Sequence, residues 1–359
     1  MYNKEPWLAV NLSIIFPGLG QIYSGKKQKG YLLIFLTIAI SIVSFWFILS
    51  PDGDIVVGIG CLIGNLIFSF WNLFDAYASA KSNNSQEFEE LRKQNKDPWL
   101  AMFLSQLFLG VGNFYIGKWL FGILAVIIIL IFSKIFRGVL PVIYGYIGYF
   151  TYTLSPVQRE NSKKLAFIVS LLFAISGLFP TGLGFAIKNY GVEARWMPSG
   201  SMEPTLHGTR NQWEADKIFI DKVKYKFANP ERGDIVVFLP PQEIQNNPER
   251  EAFLKRIIGL PGEKVELREG KVYINSKPLQ EDAYLSSSVR TFVEACNSSG
   301  LQPPFLAKPE IIPPDSYLML GDNRVNSYDG RCWGVVPRNM IIGKAYKIFF
   351  PLNRMRKIE

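Results

Sequence analysis

The residues with the clearest chemical potential lie in RWMPSGSMEPTLHG, residues 195–208. This segment follows the last long apolar run and contains two serines, Ser199 and Ser201, together with the only histidine of the chain, His207. A serine hydroxyl becomes a nucleophile when a neighbouring base removes its proton. The segment is therefore either a nucleophile loop or a turn-rich linker that leaves a membrane helix, and the first alternative needs a base.

Two kinds of base could activate such a serine, a histidine or a neutral lysine. His207 is the only candidate for a Ser-His-Asp triad, and as the single histidine it excludes sites with several histidine metal ligands. It lies in the polar stretch HGTRN, which favours an ordinary solvated loop residue. We therefore look for the base elsewhere, and we expect neither a metal ion nor a cofactor.

Lys255 is the lysine best placed for this role. A lysine has a pKa of about 10.4, and an apolar site must lower that pKa before the neutral form can act near neutral pH. Arg256 would point to the opposite strand face and remain charged and paired. The simpler alternative is that Lys255 and Arg256 are two solvent-facing charges at the end of a strand. The apolar neighbours that favour the first interpretation are Phe253, Leu254, Ile257 and Ile258.

From residue 193 onward the sequence predicts a mostly β domain with frequent turns. DIVVFL, 234–239, is typical of a short buried strand, and KVELREGKVYIN, 264–275, predicts a hairpin that turns at Glu269-Gly270. VKYKF, 223–227, alternates strictly and also predicts a strand. The residues from 277 to 314 are rich in Ser, Pro and Asn, which indicates an insertion or long surface loops.

The preceding half of the chain predicts an all-α polytopic membrane region. Its long apolar runs carry almost no charge, and most approach the roughly 20 residues that cross a bilayer as a helix. The net charge of +9 comes with basic residues clustered beside these runs, which indicates membrane orientation and no nucleic-acid partner. The runs are Tyr31 to Ser50, Ile55 to Trp71, Phe121 to Phe132, Val139 to Leu154 and Leu165 to Ile187.

An internal repeat relates two parts of this region. KEPWLAVNLSIIFPGLGQIYSGKKQKG from Lys4 and KDPWLAMFLSQLFLGVGNFYIGKWLFG from Lys96 align without gaps at a shift of 92 residues. The pattern resembles small two-helix membrane modules of the TM2 type, although glycines that allow close helix packing explain it more simply. The predicted parts are a first membrane repeat at 1–80, a polar cytoplasmic linker at 81–95, a second membrane repeat at 96–155, a cytoplasmic loop at 156–164, a transmembrane anchor at 165–188 and an extracytoplasmic domain at 193–359.

The number of spans depends on the two short Gly-containing stretches that open the repeats. Lys and Arg in short loops stay cytoplasmic, and seven spans would place nine such residues outside. If the two stretches turn back or lie in the interface, five spans remain, and only Lys134 and Arg137 of those nine are outside. We prefer five spans; either topology places the domain after Lys188 outside the cytoplasm.

Four further motifs stand out in the second half of the chain, PSGSMEPTL (198–206), RGDIVVF (232–238), KRIIGLPGE (255–263) and GDNRVNSYDGRCWGVVP (321–337). They occur in the order and spacing of the type I bacterial signal peptidases, so residues 195–350 resemble that family. The resemblance implies a membrane-bound serine endopeptidase that removes signal peptides from exported preproteins after small residues, at A-x-A-like sites. It does not account for the repeated membrane region.

The resemblance implies three catalytic roles. Ser201 matches the nucleophile and Lys255 matches the lysine general base. Ser199 matches the residue whose hydroxyl forms the oxyanion hole together with the backbone N–H of Ser201. Met202, next to the nucleophile, is expected to face substrate or lipid.

Supporting roles are implied for a second group of residues. Ser327 matches the serine that hydrogen-bonds and orients the lysine, while Asp329 and Arg331 match an ion pair near the site. Val325 and Gly330 stand where family members frequently carry aspartate and serine, a difference that concerns the geometry of the loop.

The expected location is a bacterial cell membrane or an internal bacterial membrane, with several spans and an extracytoplasmic peptidase domain. The expected partners are signal-peptide-bearing preproteins and the lipid bilayer, and the secretion translocon is a further candidate. Cys296 and Cys332 could pair if their domain faces an oxidising compartment. Two other classes stay open, namely a self-cleaving repressor-type Ser-Lys protease, which would be soluble, and a membrane scaffold whose β domain has lost activity.

Overall fold

A computed structural model describes residues 3–108, 110–135, 137–157, 162–240, 252–296 and 304–358. The chain divides into two units, Met1–Phe185 and Ala186–Glu359. The helices of the first unit are α1 (Pro6–Ile15), α2 (Leu19–Tyr23), α3 (Lys27–Leu49), α4 (Ile55–Lys81), α5 (Gln86–Gln94), α6 (Pro98–Leu107), α7 (Val111–Tyr115), α8 (Trp119–Ile135), α9 (Leu140–Leu154) and α10 (Ser162–Ala186), the last of which ends at the first residue of the second unit.

The two repeats begin with the same pair of short helices. α1 and α2 correspond to α6 and α7 at the shift of 92 residues seen in the sequence. A glycine with left-handed backbone separates the two helices of each pair, Gly18 at φ 101° and Gly110 at φ 75°. Residues with a Cβ rarely adopt this conformation. Each opening stretch therefore folds as two short helices.

Each pair is also held together by a close backbone contact. A Cβ on Gly112 would lie 1.8 Å from the carbonyl oxygen of Ala101, and a Cβ on Gly20 would lie 2.2 Å from that of Ala9. Such contacts leave room only for glycine. Packing thus explains these glycines, as the sequence suggested.

Helix length separates the possible membrane spans. Within the described residues, α3, α4 and the helix Ser162–Gly191 are long and apolar enough to cross a bilayer. α8 and α9 have 17 and 15 residues, fewer than the roughly 20 required. α1 and α6 have 10 residues each, which is only about 15 Å of helix. These lengths favour a topology in which the opening stretches do not cross, and the five-span arrangement stays a prediction.

The second unit is built mainly from antiparallel strands. One sheet contains eight described strands in the order β1-β2-β11-β3-β4-β9-β10, with β12 beside β11, and the other has the order β7-β6-β5-β8. The strands are β1 (Val192–Trp196), β2 (Lys217–Asp221), β3 (Ile235–Phe238), β4 (Phe253–Gly259), β5 (Lys264–Arg268), β6 (Lys271–Ile274), β7 (Lys277–Pro278), β8 (Glu310–Ile311), β9 (Ser316–Leu320), β10 (Val335–Pro337), β11 (Ile341–Phe350) and β12 (Arg356–Lys357), with short helices α11 (Lys224–Phe227) and α12 (Gly330–Trp333).

The predicted strand at 234–239 and the predicted hairpin are both present. β3 is buried throughout, and β5 pairs with β6 across a turn in which Glu269 and Gly270 have φ of 52° and 73°. Left-handed φ at both central residues is the geometry that favours a tight hairpin. β4 lies between β3 and β9, and its last five residues are buried.

The predicted strand at 223–227 is wrong, because these residues form α11. The Asp221 carboxylate accepts hydrogen bonds from the N–H groups of Val223 and Lys224 at 2.7 and 3.0 Å, which turns the chain into a helix. Only Tyr225 of the alternating apolar residues is buried, and Phe227 is exposed. The alternation in the sequence therefore does not mark a buried strand face.

We expect Gly112→Ala to destabilise the protein by about 1–3 kcal/mol, because the added methyl group would displace the Ala101 carbonyl. Gly60→Ala in α4 is the matched control, since nothing lies within 4 Å of a Cβ there and alanine favours a helix. The measurement is thermal unfolding of full-length protein in detergent, followed by circular dichroism. Equal midpoints for the two variants would contradict the close contact.

Candidate active site

The candidate nucleophile Ser201 lies in a 3-10 turn, Gly200–Met202, whose core-facing residue is Met202. Met202 is completely buried in the cluster that also contains Leu206 and Ile218. The expectation that Met202 faces substrate or lipid is therefore wrong. Its apolar side chain packs into the core and holds the turn there, while the neighbouring Ser201 is only partly buried. His207 lies outside this arrangement, with its Nδ1 2.7 Å from Oε1 of Glu203.

The structure brings Lys255 and Ser201 together across 54 residues of sequence. Lys255 lies in the central strand β4, opposite Val236 of β3, and is only 5% exposed. Its Nζ is 2.7 Å from Ser201 Oγ in hydrogen-bond geometry. Such a distance allows direct proton transfer between the two groups.

The surroundings of Lys255 change its acidity in the direction that a base requires. Burial lowers the pKa of Lys255 to about 8, because removal of water disfavours the charged ammonium. The negative charges of Asp329 and Asp322 act in the opposite direction and raise this pKa, while Arg331 lowers it. Desolvation is the largest effect, so a substantial neutral fraction exists at mildly alkaline pH.

Ser199, the residue that the motif predicts for the oxyanion hole, lies beside the candidate nucleophile Ser201. Its Oγ is 3.4 Å from Ser201 Oγ. A hydroxyl at this position can turn towards a substrate carbonyl oxygen that is being attacked by Ser201. The geometry is compatible with an oxyanion-stabilising role.

Residues 321–323 contact the turn Gly200–Met202 through hydrogen bonds and close packing. The Asn323 N–H donates to the carbonyl of Ser201 at 3.1 Å, and Asn323 Nδ2 donates to the carbonyl of Gly200 at 3.0 Å. A Cβ on Gly321 would lie 2.5 Å from the Ser201 carbonyl oxygen, so only glycine fits. Neither residue is among those predicted from sequence, and their place in the motif GDNR was the available signal.

The predicted ion pair of Asp329 and Arg331 is present and wholly buried. Arg331 Nε and Nη2 each donate to the Asp329 carboxylate at 2.9 Å. Asp329 also accepts from the N–H of Gly321 at 2.9 Å, and Arg331 donates to the carbonyl of Arg324 at 2.7 Å. The pair thereby fixes the loop that lies behind Ser201.

A second buried ion pair lies next to Lys255 in the sequence. Arg256 donates from Nε and Nη2 to Asp322 at 2.9 and 2.8 Å, and its guanidinium lies 3.9 Å from the ring centroid of Tyr284. The prediction that Arg256 is paired is confirmed. Both carboxylates near Lys255 are thus engaged by an arginine.

Ser327 does not make the predicted hydrogen bond to Lys255. Its Oγ is buried and has no hydrogen-bond partner among the described residues. The hydroxyl packs against Gly321, where an added Cβ would lie 2.1 Å from it, whereas Lys255 Nζ is directed to Ser201. The side chain is close to the site but orients the lysine through no direct bond in this structure.

The segment 277–314 supports the site and is more than a surface insertion. Cys296 forms a disulfide with Cys332 of α12. Arg324, which is buried, donates to Glu281 and to Thr291 Oγ1. Residues 297–303 of the segment lie outside the described residues. The described part of the segment therefore connects residues 321–332, which pack against Ser201, to the rest of the second unit.

A groove of about 770 Å³ opens onto Ser201 and Lys255. Its walls include residues 193–196 of β1, the turn Gly200–Met202 through Gly200 and Ser201, Ala252 with the first three residues of β4, and Asn326 and Tyr328. Val237 also contributes. An extended peptide could lie in such a groove with one carbonyl at Ser201.

Residues 166–350 match the family described as "Signal peptidase, peptidase S26". A signal peptidase I of Leptolyngbya laminosa is 43% identical over 178 residues, which cover 49% of this chain and 77% of the relative. A probable signal peptidase I-2 of Synechocystis is 40% identical over 48% of this chain and 70% of that protein. A signal peptidase I of Bacillus amyloliquefaciens is 31% identical over 56% and 98%, respectively.

The matches and the β unit with its buried groups place the chain among the serine endopeptidases. Within that class the chain belongs to the signal peptidase family, peptidase S26, as a type I signal peptidase of bacterial kind. Its substrates are preproteins that carry signal peptides.

We expect Asp329→Asn to lower the free energy of unfolding by about 3–5 kcal/mol, because Arg331 would keep a buried charge without its partner. Glu266→Gln is the matched control, since its partner Arg268 is 53% exposed and lies 3.8 Å away, and loose pairs with an exposed partner add little. Urea unfolding at pH 7 compares the two variants. Similar midpoints would show that the Asp329 pair is not a structural requirement.

Proposed function

We propose that Ser201 is the nucleophile and Lys255 the general base for cleavage of signal peptides at A-x-A-like sites. The observation that carries the proposal is the 2.7 Å separation of Ser201 Oγ and Lys255 Nζ, with the lysine buried. The lowered pKa of Lys255 fits the same role. A lysine placed only for structure would be expected to pair with a carboxylate.

The proposed reaction proceeds through an acyl-enzyme. Neutral Lys255 accepts the proton of Ser201 while Oγ attacks the scissile carbonyl carbon, and the oxyanion is held by Ser199 Oγ and the Ser201 N–H. Collapse of this intermediate breaks the C–N bond, and the protonated Lys255 gives its proton to the leaving amine. Lys255 then takes a proton from water, which attacks the ester and releases the signal peptide with Ser201 restored.

The membrane setting is also part of the proposal. The protein would be a multi-pass protein of a bacterial cell membrane or internal membrane, with the second unit outside the cytoplasm. Three candidate spans and the positions of Lys and Arg in the short loops between apolar runs support this location. The same spans argue against a soluble repressor-type protease, and the close Ser201–Lys255 contact argues against an inactive scaffold.

We expect Ser201→Ala and Lys255→Ala each to reduce cleavage of a preprotein with an A-x-A site on the order of 10³-fold or more. Ser288→Ala and Lys271→Ala are matched controls, because both side chains are exposed and lie outside the groove. The assay uses purified full-length protein, and thermal unfolding checks that each variant is folded. Wild-type protein that cleaves none of several preproteins would contradict the proposal.

We expect kcat/KM to fall about tenfold for each pH unit below about 8. The sign follows from the base: protonation of Lys255 at low pH removes the lone pair that accepts the Ser201 proton, and activity rises as pH approaches the lowered pKa. Circular dichroism at each pH serves as the control for unfolding. A rate that stays constant down to about pH 5 would be incompatible with a neutral lysine base.

A further inference from the structure

Tyr284, in the segment 277–314, lies against the buried pair of Arg256 and Asp322. The centroid of its ring is 3.9 Å from the guanidinium carbon of Arg256, and Arg256 is only 2% exposed. A guanidinium is attracted by the negative face of an aromatic ring, and the attraction is stronger where water is excluded. Tyr284 thus adds a contact to an arginine that already donates to Asp322 and to the carbonyl of Gly233.

The Tyr284 hydroxyl fixes the ring in this place. It donates to Oε1 of Glu281 at 2.7 Å, and Nη1 of the buried Arg324 donates to Oε2 of the same carboxylate at 3.2 Å. Burial and the Glu281 charge both raise the pKa of Tyr284. The hydroxyl therefore stays protonated near neutral pH, and Tyr284 adds no charge of its own to the site.

The Asp322 carboxylate connects Arg256 to the candidate reactive groups. It accepts from Oγ1 of Thr205, in the loop that follows the candidate nucleophile, at 2.5 Å, and its negative charge raises the pKa of Lys255. When two N–H groups of an arginine bind one carboxylate, most of its charge is offset. The strength with which Asp322 acts on Lys255 therefore depends on how firmly Arg256 is held.

The other charges that act on Lys255 do not depend on Tyr284. Asp329 raises the pKa of Lys255 and Arg331 lowers it, and these two residues are paired with each other within one loop. The strands on either side of β4, which are β3 and β9, contain no charged residue. Asp322 is thus the charge near Lys255 whose pairing a contact from the segment 277–314 can change.

We propose that Tyr284 is a positioning residue of the candidate active site, which holds Arg256 in both bonds to Asp322 and so limits the action of the Asp322 charge on Lys255. Tyr284 is not among the residues that line the groove, so it acts through Arg256 and not by contact with a substrate. The inference rests on the proposed function in one respect, because Lys255 is taken as the general base.

The sign of the expected change follows from the charges. Without the ring, Arg256 is held less firmly, the charge of Asp322 is less offset, and the ammonium form of Lys255 is stabilised. The pKa of Lys255 then rises from about 8, and activity is lost first at low pH. A fault that only misplaces Ser201 would instead lower kcat/KM by one factor at every pH.

The first arm of the test measures kcat/KM of full-length protein for a preprotein with an A-x-A site, between about pH 6 and pH 10. Tyr284→Leu should raise the midpoint of the profile by about one pH unit and lower kcat/KM about tenfold at pH 7, with rates like the wild type above the new midpoint. Tyr284→Phe keeps the ring and should stay near the wild type. Tyr273→Leu is the matched control, because Tyr273 stacks on Arg268 at 4.0 Å outside the groove.

The second arm measures the pKa of Lys255 without using activity. Competitive acetylation with acetic anhydride at several pH values, read by mass spectrometry of the peptide that contains Lys255, should give the same shift in Tyr284→Leu and none in the two other variants. If the wild type cleaves no preprotein but this shift is found, the proposed function fails and the positioning by Tyr284 stands.

Three outcomes would overturn the positioning role. They are an unchanged pKa in Tyr284→Leu, an equal shift in Tyr284→Phe or Tyr273→Leu, and a loss of kcat/KM by one factor at every pH. Thermal unfolding shows whether each variant is folded. If Tyr284→Leu does not fold, Tyr284→Met replaces it, since methionine fills an irregular space and has no ring.

Discussion

The candidate site depends on the burial of the Lys255 side chain next to the Ser201 hydroxyl. Lys255 is buried in the central strand, and desolvation outweighs the attraction of two nearby carboxylates for its proton. That balance is possible because each carboxylate already has a bidentate arginine, Asp322 with Arg256 and Asp329 with Arg331. A free carboxylate at the same distance would stabilise the ammonium and hold the lysine in its charged form, which cannot act as a base.

The same constraint explains the dense bonding behind Ser201. The proposed reaction needs Ser201 Oγ and Lys255 Nζ to stay 2.7 Å apart, because small displacements at a reacting centre are costly. Asn323 binds the two carbonyls around Ser201, and the Asp329 pair holds Gly321 against it. The disulfide of Cys296 brings the segment 277–314 into this support. These residues therefore hold Ser201, the proposed nucleophile, in place.

The first unit, which contains the candidate membrane spans α3 and α4, is helical, and helices satisfy within themselves the backbone groups that lipid cannot. Its two repeats use the same device, a left-handed glycine followed by a second glycine that packs on a backbone carbonyl, to fold short helices side by side. Between the repeats, α5 contributes Arg92, which is buried against Glu89 and Asp97 at 2.7 and 3.1 Å. The predicted polar linker is thus a packed part of the first unit.

The sequence by itself determined the features that depend on neighbours along the chain. Apolar runs predicted helices, the repeat predicted two stretches of like structure, Glu269-Gly270 predicted a hairpin turn, and the ordered motifs pointed to Ser201 and Lys255. Alternation failed at 223–227, because a capping carboxylate outside the pattern decided the local structure. Only the tertiary structure decided that Met202 faces the core and that Asn323 holds the turn Gly200–Met202. It also decided that Ser327 makes no hydrogen bond to Lys255. These outcomes depend on distances between strands far apart in sequence, and burial, which sets the pKa of Lys255, exists only once those strands have packed.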